Sequence, residues 1–349
     1  MDGWAVAGSQ PWQLVDAAIL APGEATPIVT GGLIPDCTFG VLRSEHGRVG
    51  QRDGRRVLVT IGDGTTAGPT DGPRAGQHIR SAGEEARVSD AVIMAGTSLS
   101  PAHIAVAAAC GHDFVLVARR PRVGLVFTGD EVVETGIPAP GYVRDSFGPQ
   151  LPAFIGMLGG VVTGRQRLAD DLGSLIAAIS PDAADSAGLA ETDVIISTGG
   201  TGYSTADHLR AALEKANASL IIDGVAMRPG GPSLLARLAD GRLLVGLPGN
   251  PLAAMMGILT LVQPLLAALQ GSAVPPLGSV VVADTLSGGR GHSRLIPYRI
   301  VDGLAVPTLR NGSGMMRGLA EASGVIVCPP QGANGGDSVE TLALPWIRH

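Results

Sequence analysis

Asp193 to Asp207 reads DVIISTGGTGYSTAD, and the fold turns on this stretch. Val194, Ile195 and Ile196 make a short apolar run, Gly199, Gly200 and Gly202 break it, and a helical pattern follows near 206–216. An unbroken apolar run of this length suits a strand buried on both faces, and the glycines suit a tight strand-to-helix turn. The same unit recurs outward in both directions. Upstream come VGLVFTGDE (123–131), a helix near 149–158, VVTG (161–164) and a helix near 171–180; downstream come LLVGLPGNP (243–251) and an apolar helix from Leu252 to Leu269. Strands alternating with helices over 122–272 predict a three-layer α/β/α domain with a mostly parallel sheet. Such sheets bind ligands beyond the carboxyl ends of their strands. The three richest turns fall there: Thr128–Glu131, Ser197–Gly202 and Leu247–Pro251.

The flanks read differently. Residues 1–83 carry short apolar runs such as Val57 to Ile61 between Gly, Pro and Asp clusters, which predicts a small β domain. Within 84–121, Ser100 before Pro101 and the closing Gly111 predict a capped helix whose alanine face packs closely. Over 273–349 strand signals return (SVVVADTL, GVIVCPP, DSVETLAL), consistent with a separate β domain. Leu252 to Leu269 is uncharged, but Gln263 and Pro264 interrupt it and Asn250-Pro251 reads as a capped start, so a buried core helix is expected instead of a membrane span.

Composition narrows the function. With 25 basic and 31 acidic residues the 349-residue chain carries a net charge of −6, which gives no general field for nucleic acid. Hydrophobic residues at 45% argue for a folded chain despite 51 glycines. Cys37, Cys110 and Cys328 lie far apart, so neither a disulfide framework nor a local zinc site is suggested. The start Met1-Asp2-Gly3-Trp4 lacks the basic and apolar regions of a secretory signal, and a reducing cytoplasmic setting is expected.

The chemistry gathers at the predicted sheet edge. In Gly199-Gly200-Thr201-Gly202, backbone N–H groups opened by glycine can cradle a phosphate, although the same turn could simply join strand to helix. No Gly-Lys-Ser/Thr follows, which argues against a nucleotide hydrolase loop. Asp130, Glu131, Asp170, Asp171 and Asp207 fall at the same edge. Hard carboxylate oxygens suit Mg²⁺, which fills its other positions with water and substrate phosphate. The alternative is that Asp170, Asp171 and Asp207 serve helix starts. The seven histidines show no metal-binding spacing, and no serine sits in a nucleophile elbow.

An ordered set of motifs runs the length of the chain: MDGWAVAG (1–8), PIVTGGLIPD (27–36), HIRSAGEE (78–85), RRPRVGLVFTGDEVVETG (119–136), RDS (144–146), ADD (169–171), DVIISTGGTGYSTAD (193–207), MRPGGP (227–232), LVGLPGNP (244–251) and GSGMMRGLAEASGVIVCP (312–329). It closely resembles the molybdopterin molybdenumtransferase family, MoeA and the gephyrin E domain. The resemblance implies a homodimer that inserts molybdate into adenylylated molybdopterin with Mg²⁺ and releases AMP. The adenylyltransferase that makes the substrate is an implied partner. It implies catalytic and metal roles for Glu131, Asp171 and Asp207. Substrate-binding positions fall at Asp2, Thr30, Glu85, Gly199 to Gly202, Arg228, Asn250, Arg294 and Ser313. It assigns 1–83 and 273–349 to flanking β domains and 84–121 to the remnant of a linker domain, with a leading stretch of helix and strand expected to be missing. Several positions depart from the family pattern, among them Glu85, where the family usually has aspartate, and Gly200-Thr201-Gly202 in place of Gly-Val-Ser. Its Lys-Pro-Gly-Lys-Pro is Arg228-Pro229-Gly230-Gly231-Pro232 here, and Ala253 replaces a serine. These leave open a non-catalytic paralogue acting as carrier, regulator or scaffold.

Overall fold

The computed structural model describes residues 2–61, 72–180, 189, 191–202 and 207–347. The chain divides into two compact units, Met1–Val115 and Leu116–His349.

The first unit is a six-stranded sheet in the order β4-β1-β3-β2-β6-β5. Its strands are β1 (Gly3–Ala7), β2 (Trp12–Leu14), β3 (Glu24–Ile28), β4 (Gly40–Arg43), β5 (Gly47–Arg52) and β6 (Arg55–Thr60). Asp53 and Gly54 take positive φ (50° and 75°) between Arg52 and Arg55, the two-residue turn that matches strand twist. One face buries Val6, Trp12, Ala25, Leu42 and Leu58. Helix α1 (Pro101–Ala109) starts where Ser100 and Pro101 place it, with Ser100 as N-cap and the His103 ring accepting from the Ser100 N–H at 3.0 Å. Its alanine face does not pack as expected: among its residues only Ala107 is buried, and Ile104 is 60% exposed.

The second unit centres on the sheet β10-β7-β11-β15-β14-β12. Strands β7 (Arg122–Phe127), β10 (Val161–Arg167), β11 (Val194–Thr198) and β15 (Leu243–Leu247) are parallel; β14 (Leu234–Arg237) and β12 (Ser219–Asp223) add antiparallel pairs. The short pair β8 (Val132–Val133) and β9 (Val143–Arg144) lies in the loop after β7. Helices α2 (Phe147–Met157), α5 (Pro251–Gly257) and α6 (Gln263–Leu269) cover one face, through Phe154, Met255 and Leu266 among others. Helices α3 (Leu172–Ile179) and α4 (Leu209–Lys215) cover the other, through Leu175, Leu209 and Leu213. This is the expected three-layer α/β/α arrangement with a mostly parallel sheet. Alternate residues of β11 supply both faces, Val194 and Ile196 to one and Ile195 to the other.

The uncharged run from Pro251 to Leu269 is long and apolar enough to cross a membrane, yet 67% of it is buried against this sheet. A π turn at Ile258–Val262 joins α5 to α6 just before Pro264, whose missing N–H cannot continue the regular ladder. The C-terminal strands β16 (Gly278–Val281), β17 (Ser293–Val301), β18 (Leu304–Pro307), β19 (Gly324–Cys328) and β20 (Ser338–Leu342) form a further sheet. This sheet has a core of its own, with Val282, Ile296, Tyr298 and Ile326 buried in it, and it also joins the α/β part. Strand β13 (Met227–Arg228) joins it by pairing with β17, and Leu295, Leu319 from α7 (Arg317–Ala320) and Val325 enter the α/β core.

Candidate active site

The ends of β7, β11 and β15 are tied together before any ligand is considered. Thr128 donates to the Thr198 carbonyl from both its N–H (3.3 Å) and its hydroxyl (2.9 Å), and the Gly199 N–H donates to the Leu247 carbonyl at 2.9 Å. Gly199 and Gly200 hold φ of 89° and 62°, a left-handed backbone that glycine adopts without strain. A Cβ at Gly202 would lie 2.6 Å from an Asp207 carboxylate oxygen, so glycine there makes room for the acid.

These turns open onto a cleft of about 760 Å³. Glu131, Asp170, Gly199, Gly200, Asp207 and Asn250 line it. The neighbouring acids have different duties. Asp170 accepts from the N–H groups of Gly129 (2.9 Å) and Asp130 (3.2 Å), which locks the turn after β7. Asp171 caps α3, accepting from the Ser174 N–H at 2.8 Å and the Ser174 hydroxyl at 2.5 Å. The Ser174 hydroxyl and then its N–H hold the Asp171 carboxyl below its ordinary range. At the opposite wall, buried Asp145 accepts from the N–H groups of Phe147 (2.8 Å) and Gly148 (3.0 Å) and from Arg167 (2.6 Å). Arg167 also meets Glu134 at 2.8 Å, and its guanidinium carbon lies 5.5 Å from the Phe127 ring centre.

A second cavity of about 300 Å³ is lined by Arg228, Arg294, Asn311 and Ser313. Arg228 and Arg294 meet because β13 runs parallel to β17 with these two residues in register. An adjoining recess of about 450 Å³ is lined by Arg228, Gly231, Asn250, Ala253, His292 and Ser313. Asn250 thus borders both this recess and the large cleft.

A family profile described as "Probable molybdopterin binding domain" matches residues 124–268, and one described as "MoeA N-terminal region (domain I and II)" matches residues 1–111. Between them the two profiles match most of the chain, which is similar to the MoeA family along its length. The molybdopterin molybdenumtransferase of Bacillus subtilis is 27% identical over 336 residues, spanning 94% of this chain and 74% of the relative. That of Staphylococcus epidermidis is 29% identical over 328 residues, spanning 91% and 74%. A solved molybdopterin biosynthesis MoeA protein from Pyrococcus horikoshii superposes with a TM-score of 0.73 at 25% identity, covering 98% of this chain and 86% of that one. The profile for the MoeA N-terminal region matches from residue 1, so the expectation of a missing leading stretch gains no support.

The residues expected from the resemblance fall into three groups. Glu131, Gly199, Gly200, Asp207 and Asn250 line the large cleft, with Thr201 and Gly202 on the turn that follows. Arg228, Arg294 and Ser313 line the cationic cavity. Asp2, Thr30 and Glu85 belong to the first unit: Asp2 accepts from the Thr30 N–H (2.7 Å) and hydroxyl (3.0 Å), which lower its pKa, while Glu85 pairs with Arg80 at 2.6 Å. Asp171 is not among the cleft-lining residues; the adjacent Asp170 is. Asp145 and Arg167 were missed, since RDS and a lone arginine carry no signal of a pairing across 22 residues. Tyr203 to Ala206, inside the quoted motif, lie outside the described residues.

Among the described residues no three His, Cys, Asp or Glu side chains come close enough to hold a metal by themselves. Mg²⁺ needs only one or two protein carboxylates when substrate phosphate and water complete its shell. Glu131 and Asp207, each set against a glycine that leaves room for it, meet that lesser demand.

Proposed function

We propose that this chain is a molybdopterin molybdenumtransferase, inserting molybdate into adenylylated molybdopterin with release of AMP. One observation carries the reading. A cleft with a glycine turn and the acids Glu131 and Asp207 shares Asn250 with a recess bordered by Arg228 and Ser313, so a phosphate-bearing substrate and an oxyanion can be held side by side. The relatives named molybdopterin molybdenumtransferase support it.

In this reading the N–H groups of Gly200, Thr201 and Gly202 receive the substrate phosphates. Glu131 and Asp207 would hold Mg²⁺, which when bound offsets charge on the phosphate linkage being cleaved. Arg228, Arg294 and Ser313 orient molybdate through charge-assisted hydrogen bonds. Asp171 caps its helix and stands outside this set. The rest of the reading is a cytoplasmic homodimer whose substrate comes from the adenylyltransferase, with Asp2, Thr30 and Glu85 serving the substrate from the 1–83 and 84–121 segments. The uncharged Gly231 favours a second reading, a carrier that binds the substrate without turning it over. Incubation with adenylylated molybdopterin, molybdate and Mg²⁺ separates the two. AMP release dependent on molybdate supports the enzyme, tight binding without release selects the carrier, and neither binding nor release refutes both.

A further inference from the structure

Arg210 lies three residues after Asp207 on α4, and its side chain is only 18% exposed. Its Nε and one terminal nitrogen donate to the Asp223 carboxylate at 2.9 and 2.7 Å. The other terminal nitrogen donates to the carbonyls of Thr201 and of Gly202, the latter at 3.0 Å. At least four of the five N–H donors of a guanidinium are therefore committed inside the fold, two of them to the glycine turn itself. A residue so engaged is a poor direct ligand for an anion and a strong clamp on a backbone.

We propose that Arg210, anchored by Asp223, is the positioning residue that sets the Gly199–Gly202 turn and Asp207 for a phosphate-bearing ligand. A trans peptide carries its N–H opposite its carbonyl, so a guanidinium that draws in the Thr201 carbonyl turns the Gly202 N–H the other way. Without it, a turn rich in glycine is free to swing those carbonyls, which repel an anion, toward the ligand. The position of Gly202 bears on Asp207 as well, because the Asp207 carboxylate takes the space that a Cβ on Gly202 would need. Asp223, at the end of β12, fixes the guanidinium to the sheet instead of leaving it on a flexible stem. Lysine keeps the charge but cannot reach both carbonyls and the carboxylate from one point donor.

The inference rests on the phosphate-binding role proposed for the turn, and the test separates the two. AMP with Mg²⁺ and, separately, molybdate are titrated calorimetrically into wild type, Arg210→Lys, Asp223→Asn and the double variant, with melting temperatures recorded. Expected are AMP binding weakened about 10-fold or more in Arg210→Lys, a smaller loss in Asp223→Asn, no further loss in the double variant, and unchanged molybdate binding. A general structural defect would instead lower both ligands and add across the pair. Wild-type AMP affinity in a folded Arg210→Lys protein overturns the positioning role alone. Absence of AMP binding in wild type overturns the phosphate role of the turn and this inference with it. Should Arg210→Lys fail to fold, Asp223→Asn decides: weakened AMP binding at native stability supports the clamp, and unchanged binding overturns it.

Discussion

Arg228 and Arg294 are register partners on the parallel strands β13 and β17, and both line one cavity with Ser313. Two like charges placed opposite one another across a sheet repel. The Arg294 guanidinium is steadied by the Ser287 carbonyl at 2.7 Å, and what the pair shares is the cavity. An oxyanion held there relieves the repulsion and accepts from both. Arg228→Ala should therefore weaken molybdate binding by roughly 10- to 100-fold, corresponding to about 1.5–3 kcal/mol for a charge-assisted hydrogen bond, and Arg228→Lys should lose less. Direct titration checks it; unchanged affinity in folded Arg228→Ala would remove the residue from the site.

Gly231 borders the same recess but brings no charge. The positive φ of this turn belongs to Gly230 (106°) and not to Gly231, so a side chain at 231 meets no left-handed backbone. Its Cβ would lie 3.0 Å from the Met227 carbonyl oxygen, a tight contact. Gly231→Lys should raise molybdate affinity several-fold, with a stability loss of about 1 kcal/mol or less. Gly231→Ala provides the comparison, since it shares the contact without the charge. Equal affinities in the two variants would show that the added cation does not reach the anion.

Where structure depends on near neighbours, the sequence was readable. Ser100-Pro101 starts a helix, the run from Val194 to Thr198 forms the buried strand, and the glycine turn falls at its carboxyl end. Long-range pairing was not readable. Nothing local says that Met227-Arg228 leaves the α/β segment to pair with Ser293-Arg294, although this pairing creates the cationic cavity. Adjacent acids were equally opaque: Asp170 and Asp171 differ by one residue, and only the path of the chain sends one to the cleft and the other to a helix cap. The alanine face of α1 misled because apolar character does not say whether the covering surface belongs to the same chain.

Within residues 88–114, the apolar side chains of Val88, Ile104 and Phe114 are 99%, 60% and 92% exposed. The proposed homodimer would give such side chains cover. Light scattering should give the mass of two chains for wild type and of one for an Ile104→Glu, Phe114→Glu double variant that keeps its melting temperature. A wild-type monomer would dispose of the homodimer.

Asp193, just before β11, ties the starts of β7 and β11 together. Burial raises its pKa, but the Arg119 guanidinium at 2.7 Å and the Arg122 N–H at 2.7 Å outweigh that and hold it below the ordinary value. A lowered folded-state pKa stabilises the protein above the unfolded value, about 3.9, and the contribution is lost as pH falls through the folded pKa. Asp193→Asn should therefore melt below wild type at neutral pH, with the gap closing in acid. Thermal melts across that range decide it; a gap that widens in acid contradicts the assigned sign.

Asp171 and Asp207 offer the sharpest test of the metal assignment, because the resemblance credits both while Asp171 caps α3 and only Asp207 lines the cleft. Both oxygens of Asp171 are engaged by Ser174, and asparagine caps a helix about as well as aspartate. Asp171→Asn, which keeps one acceptor for the Ser174 N–H, should therefore lower the melting temperature slightly and retain Mg²⁺-dependent AMP release, whereas Asp171→Ala should lower the melting temperature further and leave release nearly intact. Asp207 lines the cleft and packs against Gly202, where amide for carboxylate removes the charge a divalent cation needs. Asp207→Asn should keep the fold and lose AMP release by about 100-fold or more, the scale expected when a charge-stabilising group is removed from a catalytic site. Mg²⁺ titrations of AMP release measure all three variants. A large rise in the Mg²⁺ requirement of a folded Asp171→Asn would return Asp171 to the metal site and relegate the helix cap to a secondary role.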